Sequence, residues 1–362
     1  MEGPVLIFTA GFGEGHNSAA FSLESAINER HEAIVDDAYH ESFPRINNQA
    51  RKIYRRVTTY SPKIWSRYYK STDRQDYTRK RIPLLRRAER RVHRLIAEHK
   101  PSALVSTYPI YPYYFDRYTS TNKPKVYTVI TDSLVINKSW LKAPTDCFLV
   151  TDELTKANCV KQGIAESRIQ VTGFPVSPKF SQLTPMPANE EVAEFKVLYF
   201  PIPRKPHVRR TLRALMDNPN VKVKVTVVLG RSYKHLIRKT RQIQAEFPDQ
   251  IDILGWVDNV PELLNQHHLV LGKAGGATVH EAIAAACPML IHHIVPGQEE
   301  GNLQLLRHIG GGELCDSEQK VRQMMHALTA NQGQEWRKMK QRLLEVRRPD
   351  SARQIASFML DV

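Results

Sequence analysis

No stretch of about 20 consecutive apolar residues occurs in this chain of 362 residues, which excludes a helix spanning a bilayer. Cysteine is scarce. Cys147, Cys159, Cys287 and Cys315 show no Cys-x-x-Cys spacing, which argues against a zinc site or a disulfide framework and for buried thiols in a reducing compartment. The opening residues MEGPVLIFTAG have no basic leader before the first apolar run, so no secretory signal is expected there and a cytoplasmic setting is. The spaced dinucleotide fingerprint Gly-x-Gly-x-x-Gly is missing: Gly11, Gly13 and Gly15 alternate instead, although Asp36 and Asp37 stand at roughly the right distance. No internal repeat is visible. Acidic residues are also short, 37 against 52 Lys and Arg, for a formal net charge of +15.

That surplus is local. Between Arg51 and Arg94 there are 16 Lys or Arg against three acids, Asp73, Asp76 and Glu89. Tyr54, Tyr60, Trp65, Tyr68, Tyr69 and Tyr77 are interleaved with them. Basic charge mixed with aromatic rings suits an anionic membrane surface, where each cation near the headgroups contributes roughly 1 kcal/mol. A solvated basic helical face is the plain alternative. RNA is a third, but no recognisable RNA-binding module accompanies the charge, so nucleic acid is not an expected partner.

Short buried-looking strands alternate with helical patterns along the chain. VLIFT, AIVDDAYH, ALVSTYP, VYTVITD, CFLVTDE and IQVTGF read as strands of a first series, and TKANCVKQGI as a helix closed by Gly163. The polar, proline-marked stretch SQLTPMPANEE reads as a linker. The pattern then restarts with FKVLYFP, VKVTVVLG, IDILGWV, LVLGKAGG and PMLIHHIVPG. Two βα series indicate an α/β chain of two doubly wound, Rossmann-like domains facing a cleft. The expected organisation is residues 1–180 as the first domain, 181–194 as linker, 195–345 as the second domain, and 346–362 as a terminal helix packing back on the first.

Two segments carry chemistry. In PVLIFTAGFGEGHNSAA a strand runs into a glycine turn, then His16, then a helical stripe that Asn17 or Ser18 could cap. A tight turn with an incidental histidine is the bland reading. In GKAGGATVHEAIAAACPMLIHHIVPGQEEGN a strand ends at Lys273 and a glycine pair opens a helix, which favours a diphosphate at its N-terminus. Glu281, three residues after Thr278, is placed to accept hydrogen bonds from ribose hydroxyls; a capping box would explain these two residues otherwise. A second strand leads into Gln298, Glu299, Glu300 and Asn302, a loop of acceptors and amides at a strand's carboxyl end. Backbone donors for phosphate and polar side chains for hydroxyls describe a nucleotide-sugar site.

These strings, with VITDSLVINKSW, VTGFPVSPKF and GWVDNVPELL, resemble the family of monogalactosyldiacylglycerol synthases and bacterial processive diacylglycerol glucosyltransferases, whose wider kin include the peptidoglycan N-acetylglucosaminyltransferase. The resemblance covers most of the chain. It implies a GT-B fold, with a lipid acceptor on the first domain and a UDP-hexose mainly on the second, and an inverting transfer that needs no metal or other cofactor. By position, Gly275, Gly276 and Thr278 would hold the diphosphate, Glu281 the ribose, and Gln298, Glu299 and Asn302 the sugar or adjoining phosphate. The backbone of Gly255 to Val257 would lie against uracil. Gly13 and Gly15 would let acceptor and donor approach, His16 would be the neutral catalytic base, and Asp132 would orient a catalytic neighbour. The implied location is peripheral, on the inner face of the cell membrane.

Three departures stand out. Where relatives carry a glycine-rich turn, this chain has Pro201, Pro203 and Pro206, which cannot join an amide cradle, with Arg204 and Lys205 beside them. Asn137 stands where the family usually has histidine, which bears on any acceptor role there. His267 and His268 lie near a position often acidic in relatives and read as structural. A non-catalytic relative that binds nucleotide sugar or membrane, and a UDP-sugar epimerase, therefore stay open beside the transferase. UDP-galactose and UDP-glucose are equally compatible with the residues, as are diacylglycerol and other lipid acceptors.

Overall fold

The computed structural model describes residues 2–72, 85–120, 123–189, 193–297 and 299–361. The chain divides into two compact units. One comprises Met1–Pro178, Val295–Gly301 and Asp350–Val362, and the other Lys179–Ile294 and Asn302–Pro349.

The first unit is built on strands β1 (Val5–Phe8), β2 (Ala33–Asp36), β3 (Ala103–Ser106), β4 (Lys125–Val129), β5 (Cys147–Val150) and β6 (Ile169–Val171), in the order β2-β1-β3-β4-β5-β6. All its pairings are parallel, with Val5 opposite Ala33 and Ala103. β1, β3 and β5 are buried along their whole length, as apolar runs covered by helices on both faces must be. One face packs Val5 and Ile7 against Leu23 and Ile27 of the helix Glu14–Ile27 and against Ile355 and Met359 of the helix Ser351–Leu360. Ion pairs Arg353–Glu29 and Arg30–Asp361, both 2.7 Å, flank that helix pair. The other face buries Phe8, Tyr39, Val92, Ile96, Tyr111 and Phe115.

The second unit holds β7 (Glu194–Tyr199), β8 (Lys222–Val228), β9 (Ile251–Leu254), β10 (Leu269–Lys273), β11 (Met289–His293) and β12 (Gly312–Leu314), ordered β12-β11-β10-β7-β8-β9 and again parallel. Its core joins Val197, Tyr199, Val225, Leu269, Leu271 and Trp336, whose Nε1 donates to the His268 carbonyl at 2.7 Å.

Strand order places the sites. Chain direction away from the sheet centre reverses between β1 and β3 in the first unit and between β7 and β10 in the second. Ligands in open α/β sheets bind beyond the carboxyl ends of strands at such switch points. The loops there follow Phe8, Ser106, Tyr199 and Lys273.

Local structure departs from the sequence reading in three places. Of AIVDDAYH only Ala33–Asp36 is strand; Asp37 turns the chain and caps the helix Ala38–Ser42 by accepting from the His40 amide at 2.9 Å. The helix after β1 starts at Glu14, so Gly13 is its N-cap, and Gly15, Asn17 and Ser18 lie within it. Asn17 instead accepts from the Thr9 hydroxyl at 3.0 Å. The long basic helical region is three described helices, Pro44–Tyr60, Pro62–Thr72 and Arg86–His99.

Candidate functional site

Gly13 takes φ 103° and ψ 151°, a conformation essentially closed to residues with a Cβ, and this turns β1 sharply into the next helix. The turn carries His16, in the helix's first turn, inward until it is 8 % exposed. Its Nδ1 meets the Thr131 hydroxyl at 3.0 Å, and its ring packs edge-on to Tyr108 at 5.2 Å and against Trp140 at 5.9 Å. Burial pushes its pKa down to about 4, with the Thr107 carbonyl opposing, so the imidazole is neutral at pH 7. The sequence reading attributed that neutrality to the helix terminus; desolvation is the larger cause.

Asp132, two residues beyond Ile130 at the carboxyl end of β4, is equally buried. The Trp140 indole N–H donates to its Oδ2 at 3.1 Å. Burial raises its pKa to about 7; the indole bond opposes this and the Glu299 charge adds to it.

Both residues line a cavity of about 750 Å³ whose walls come entirely from the first unit. Its lining is aromatic and aliphatic: Phe12, Tyr39, Trp65, Tyr69, Tyr108, Tyr113 and Trp140 surround the His16–Asp132 wall. The roof is the basic helices. Ile46, Ala50, Ile53, Tyr54 and Val57 fall at one-turn spacings on Pro44–Tyr60 and face the cavity, as do Ile64, Trp65, Tyr68, Tyr69 and Thr72 on Pro62–Thr72. Ile46, Ile53, Ile64 and Tyr68 are nevertheless 55–62 % exposed, so the cavity opens between apolar side chains that water wets. Among the cations, Lys52, Arg55, Arg56, Lys63, Arg67, Arg86 and Arg87 are exposed. Arg51 and Arg91 are not part of that display: they pair with Asp37 and Asp36 at the end of β2, and Arg51 packs over Gly11, where a Cβ would clash with its guanidinium. The segment from residue 73 to 84, with Tyr77, lies outside the described residues.

Asn137 performs two holding tasks. Its Oδ1 caps the helix Lys138–Leu141 by accepting from the Ser139 amide at 2.9 Å. Its Nδ2 donates to the Tyr69 carbonyl at 3.3 Å and the Thr72 hydroxyl at 3.2 Å, tying the helix Pro62–Thr72 to the Asp132 loop. The loop after β11 packs here too. Gly297, at φ +87°, lies against Tyr69, and Gly301 against the Ser133 carbonyl, where an added Cβ would approach to 1.7 Å. Glu299 is 4 % exposed and accepts from the Val295 amide at 3.0 Å, so it shapes its own loop. Gln298 lies outside the described residues.

In the second unit Gly275 is the extended N-cap of the helix Gly276–Ala284, with no side-chain cap, so the first-turn amides are presented as a group. Thr278 and Glu281 therefore lie inside the helix and form no capping box. Both are half-exposed on one face. Asn302 donates to the Ala274 carbonyl at 2.9 Å, bracing the glycine turn, while its buried Oδ1 has no hydrogen-bond partner among the described residues. Across the switch point, the loop from Phe200 to Arg204 feeds the helix Lys205–Met216 and is held by histidines. His292 Nε2 faces the Phe200 carbonyl at 3.0 Å and so donates to it, leaving Nδ1 to accept from His207 Nε2 at 3.1 Å. Burial keeps both neutral, near 3 and 4. Gly255 and Val257 follow β9 in a half-exposed turn around Trp256, which is 60 % exposed and stacked under Arg231 at 5.1 Å. His267 bonds Leu263 and Thr226, and His268 accepts from the Lys196 amide at 3.0 Å, both structural tasks. Among the described residues no cluster of three or more His, Cys, Asp or Glu is arranged to hold a metal ion, and no helix is long and apolar enough to cross a membrane.

Comparison with known proteins accords with this geometry. Residues 16–176, most of the unit with the cavity, match the family described as monogalactosyldiacylglycerol (MGDG) synthase. The processive diacylglycerol beta-glucosyltransferase of Bacillus subtilis (strain 168) is 25 % identical over 337 residues, 91 % of this chain and 87 % of that protein. Its counterpart in Bacillus thuringiensis (strain Al Hakam) is 26 % identical over 99 % of this chain and 93 % of that protein. The chain is a relative of these glycosyltransferases. Its fold is GT-B: Acinetobacter baumannii MurG superposes with a TM-score of 0.65 at 13 % identity, covering 99 % of this chain and all of MurG. The S. aureus MnaA-UDP co-structure superposes at 0.62 and 13 % identity, covering all of this chain and 97 % of that one.

Within this glycosyltransferase relative, sequence reasoning passed over Thr131, Tyr108 and Trp140, the groups that hold His16 and Asp132. Trp140 was the legible one, since it stands in VITDSLVINKSW. Thr131 and Tyr108 touch His16 only because β3 lies beside β1 and β4 beside β3, a proximity that no local string encodes.

Proposed function

We propose that this chain is an inverting glycosyltransferase that moves a hexose from a UDP-sugar to the hydroxyl of a membrane lipid, diacylglycerol first among acceptors. The observation that carries this reading is the aromatic cavity of about 750 Å³ in the first unit, with a neutral imidazole and a buried carboxyl on one wall and apolar side chains around its mouth. A volume of that size encloses most of an apolar ligand, and the His16–Asp132 pair on its wall can orient a hydroxyl there. The acceptor oxygen attacks the anomeric carbon opposite the leaving diphosphate; the bond to UDP breaks, the hydroxyl proton passes to the His16–Asp132 wall, and an α-linked donor gives a β-glycoside. Gly275, Gly276 and Thr278 would present amides to the diphosphate, Glu281 would hold the ribose, and the turn Gly255–Val257 would lie along uracil, with Gln298, Glu299 and Asn302 shaping the sugar's surroundings. Gly13 and Gly15 keep the acceptor's approach to His16 free of side chains. No metal or other cofactor enters this scheme, so EDTA should leave turnover intact.

The membrane completes the reading. A diacylglycerol hydroxyl lies at the bilayer interface, and the exposed isoleucines and arginines of the 44–72 and 86–99 helices suit docking on the anionic inner face of the cell membrane. The epimerase alternative shares the GT-B fold but makes no use of an apolar cavity beside the base, and the non-catalytic alternative rests on the proline loop after β7. Purified protein incubated with labelled UDP-glucose or UDP-galactose and diacylglycerol vesicles separates the three. Label in an extractable β-glycolipid supports transfer; label released as free sugar without lipid supports the epimerase; UDP binding with neither product supports the non-catalytic relative.

A further inference from the structure

The cavity of the first unit has a buried side and a wetted side, and its size limits what it can enclose. On the buried side Tyr39, Tyr113, Tyr114 and Trp140 line it at 2–8 % exposure. Their polar atoms are engaged by protein. The Tyr39 and Tyr114 hydroxyls meet at 2.9 Å, the Tyr113 hydroxyl donates to the Ser139 carbonyl at 3.2 Å, and the Trp140 indole donates to Asp132 at 3.1 Å. These side chains therefore offer ring carbon to an occupant. The charged lining residues Glu89 and Arg117 neutralise one another across 3.3 Å. On the wetted side Ile46, Ile53, Ile64 and Tyr68 belong to the lining yet are 55–62 % exposed. Apolar lining thus continues onto the outer surface of the helices Pro44–Tyr60 and Pro62–Thr72.

Volume decides how much of a lipid fits. A methylene takes about the room of a water in its liquid, roughly 30 Å³, so a cavity of about 750 Å³ encloses about 25 heavy atoms. A glycerol ester of one long fatty acid comes to about that count, and a second long chain raises it to about 40, more than the cavity encloses.

We propose that the cavity encloses the glycerol and one acyl chain of the acceptor, while the second chain leaves between Ile46, Ile53, Ile64 and Tyr68 and stays in the bilayer. This rests on the transferase reading above and says what that site selects: the length of one chain, not of both. The glycerol hydroxyl rests at the His16–Asp132 wall, as in that reading. Neither chain meets water on the way, because one moves from lipid to ring carbon and the other remains in lipid.

Acceptors dissolved as monomers test this, because in water each enclosed methylene adds affinity. The probes are diacetylglycerol, its two mono-octanoyl analogues and dioctanoylglycerol, each below its aggregation concentration, with labelled UDP-hexose as donor. Extending the enclosed chain should raise kcat/KM about fourfold per methylene. Only one mono-octanoyl isomer should show that gain, and dioctanoylglycerol should exceed it by less than about tenfold. Ala50 lines the cavity, so Ala50→Phe should cut the octanoyl gain by about tenfold or more, with diacetylglycerol turnover and UDP affinity within about threefold of wild type. Two chains that contribute equally, or two that contribute nothing, overturn the proposal and leave the transferase reading standing. If Ala50→Phe does not fold, the wild-type series decides alone. No glycolipid from any acceptor removes the transferase reading and the proposal together.

Discussion

Glu281 and Asn137 mark what single residues disclose before a structure is known. The place of Glu281 on its helix was legible because that helix opens on a glycine pair, and residue spacing along a helix is fixed by geometry. The Glu281→Ala variant should weaken UDP binding by about 1.5–3 kcal/mol, the range for a hydrogen bond to a charged acceptor. Calorimetry checks this, and an unchanged UDP affinity in the folded variant removes Glu281 from the site. Asn137 was not legible. Its two holding bonds reach Tyr69 and Thr72, some 65 residues away in sequence, and only the packing of the helix Pro62–Thr72 on the Asp132 loop creates them. Those bonds give it a structural role in this chain. The cause of His16's neutrality was hidden for the same reason: desolvation depends on Tyr108 and Trp140 closing over it.

Elements were easier to read than their ends. Apolar runs such as VLIF and CFLV announced buried parallel strands, and the restart at β7 announced the second series. The ends failed where a side chain outside the local pattern decided them, as at Asp37. The basic region shows a deeper limit. Composition gave it charge and rings, but the helical spacing of Ile46, Ile53 and Ile64 gains meaning only once a cavity lies beneath them. Ile53 and Ile64 are 61 % and 62 % exposed, so replacing both with Asn should leave the thermal unfolding midpoint close to wild type. Each loses about 1.5–3 kcal/mol of apolar burial in a bilayer, so vesicle binding should fall by roughly tenfold or more per side chain. A vesicle affinity equal to wild type in the double variant would show that these side chains stay in water.

At the scale of the whole molecule, the net charge of +15 is a statement about partners rather than about fold. Arg51 and Arg91 are consumed by internal ion pairs, which leaves the exposed arginines to face a surface. Replacing Arg55, Arg56, Arg86 and Arg87 by Gln should weaken binding to anionic vesicles by about 1 kcal/mol per residue, with UDP affinity near wild type. Wild-type binding should itself weaken as salt rises, because exposed charges are screened beyond about 10 Å at 0.1 M. Sedimentation with vesicles across a salt series checks both, and glycolipid formation by the quadruple variant at wild-type rate would reduce the segment to a solvated face. The central claim is that the cavity of the first unit holds the lipid acceptor, and photolabelling tests it most directly. A diacylglycerol analogue with a photoreactive acyl chain, presented in vesicles and followed by peptide mass spectrometry, should mark the helices Pro44–Tyr60 and Pro62–Thr72, with the label competed away by unlabelled diacylglycerol. Label that falls outside the cavity lining, or that diacylglycerol does not displace, would contradict the account.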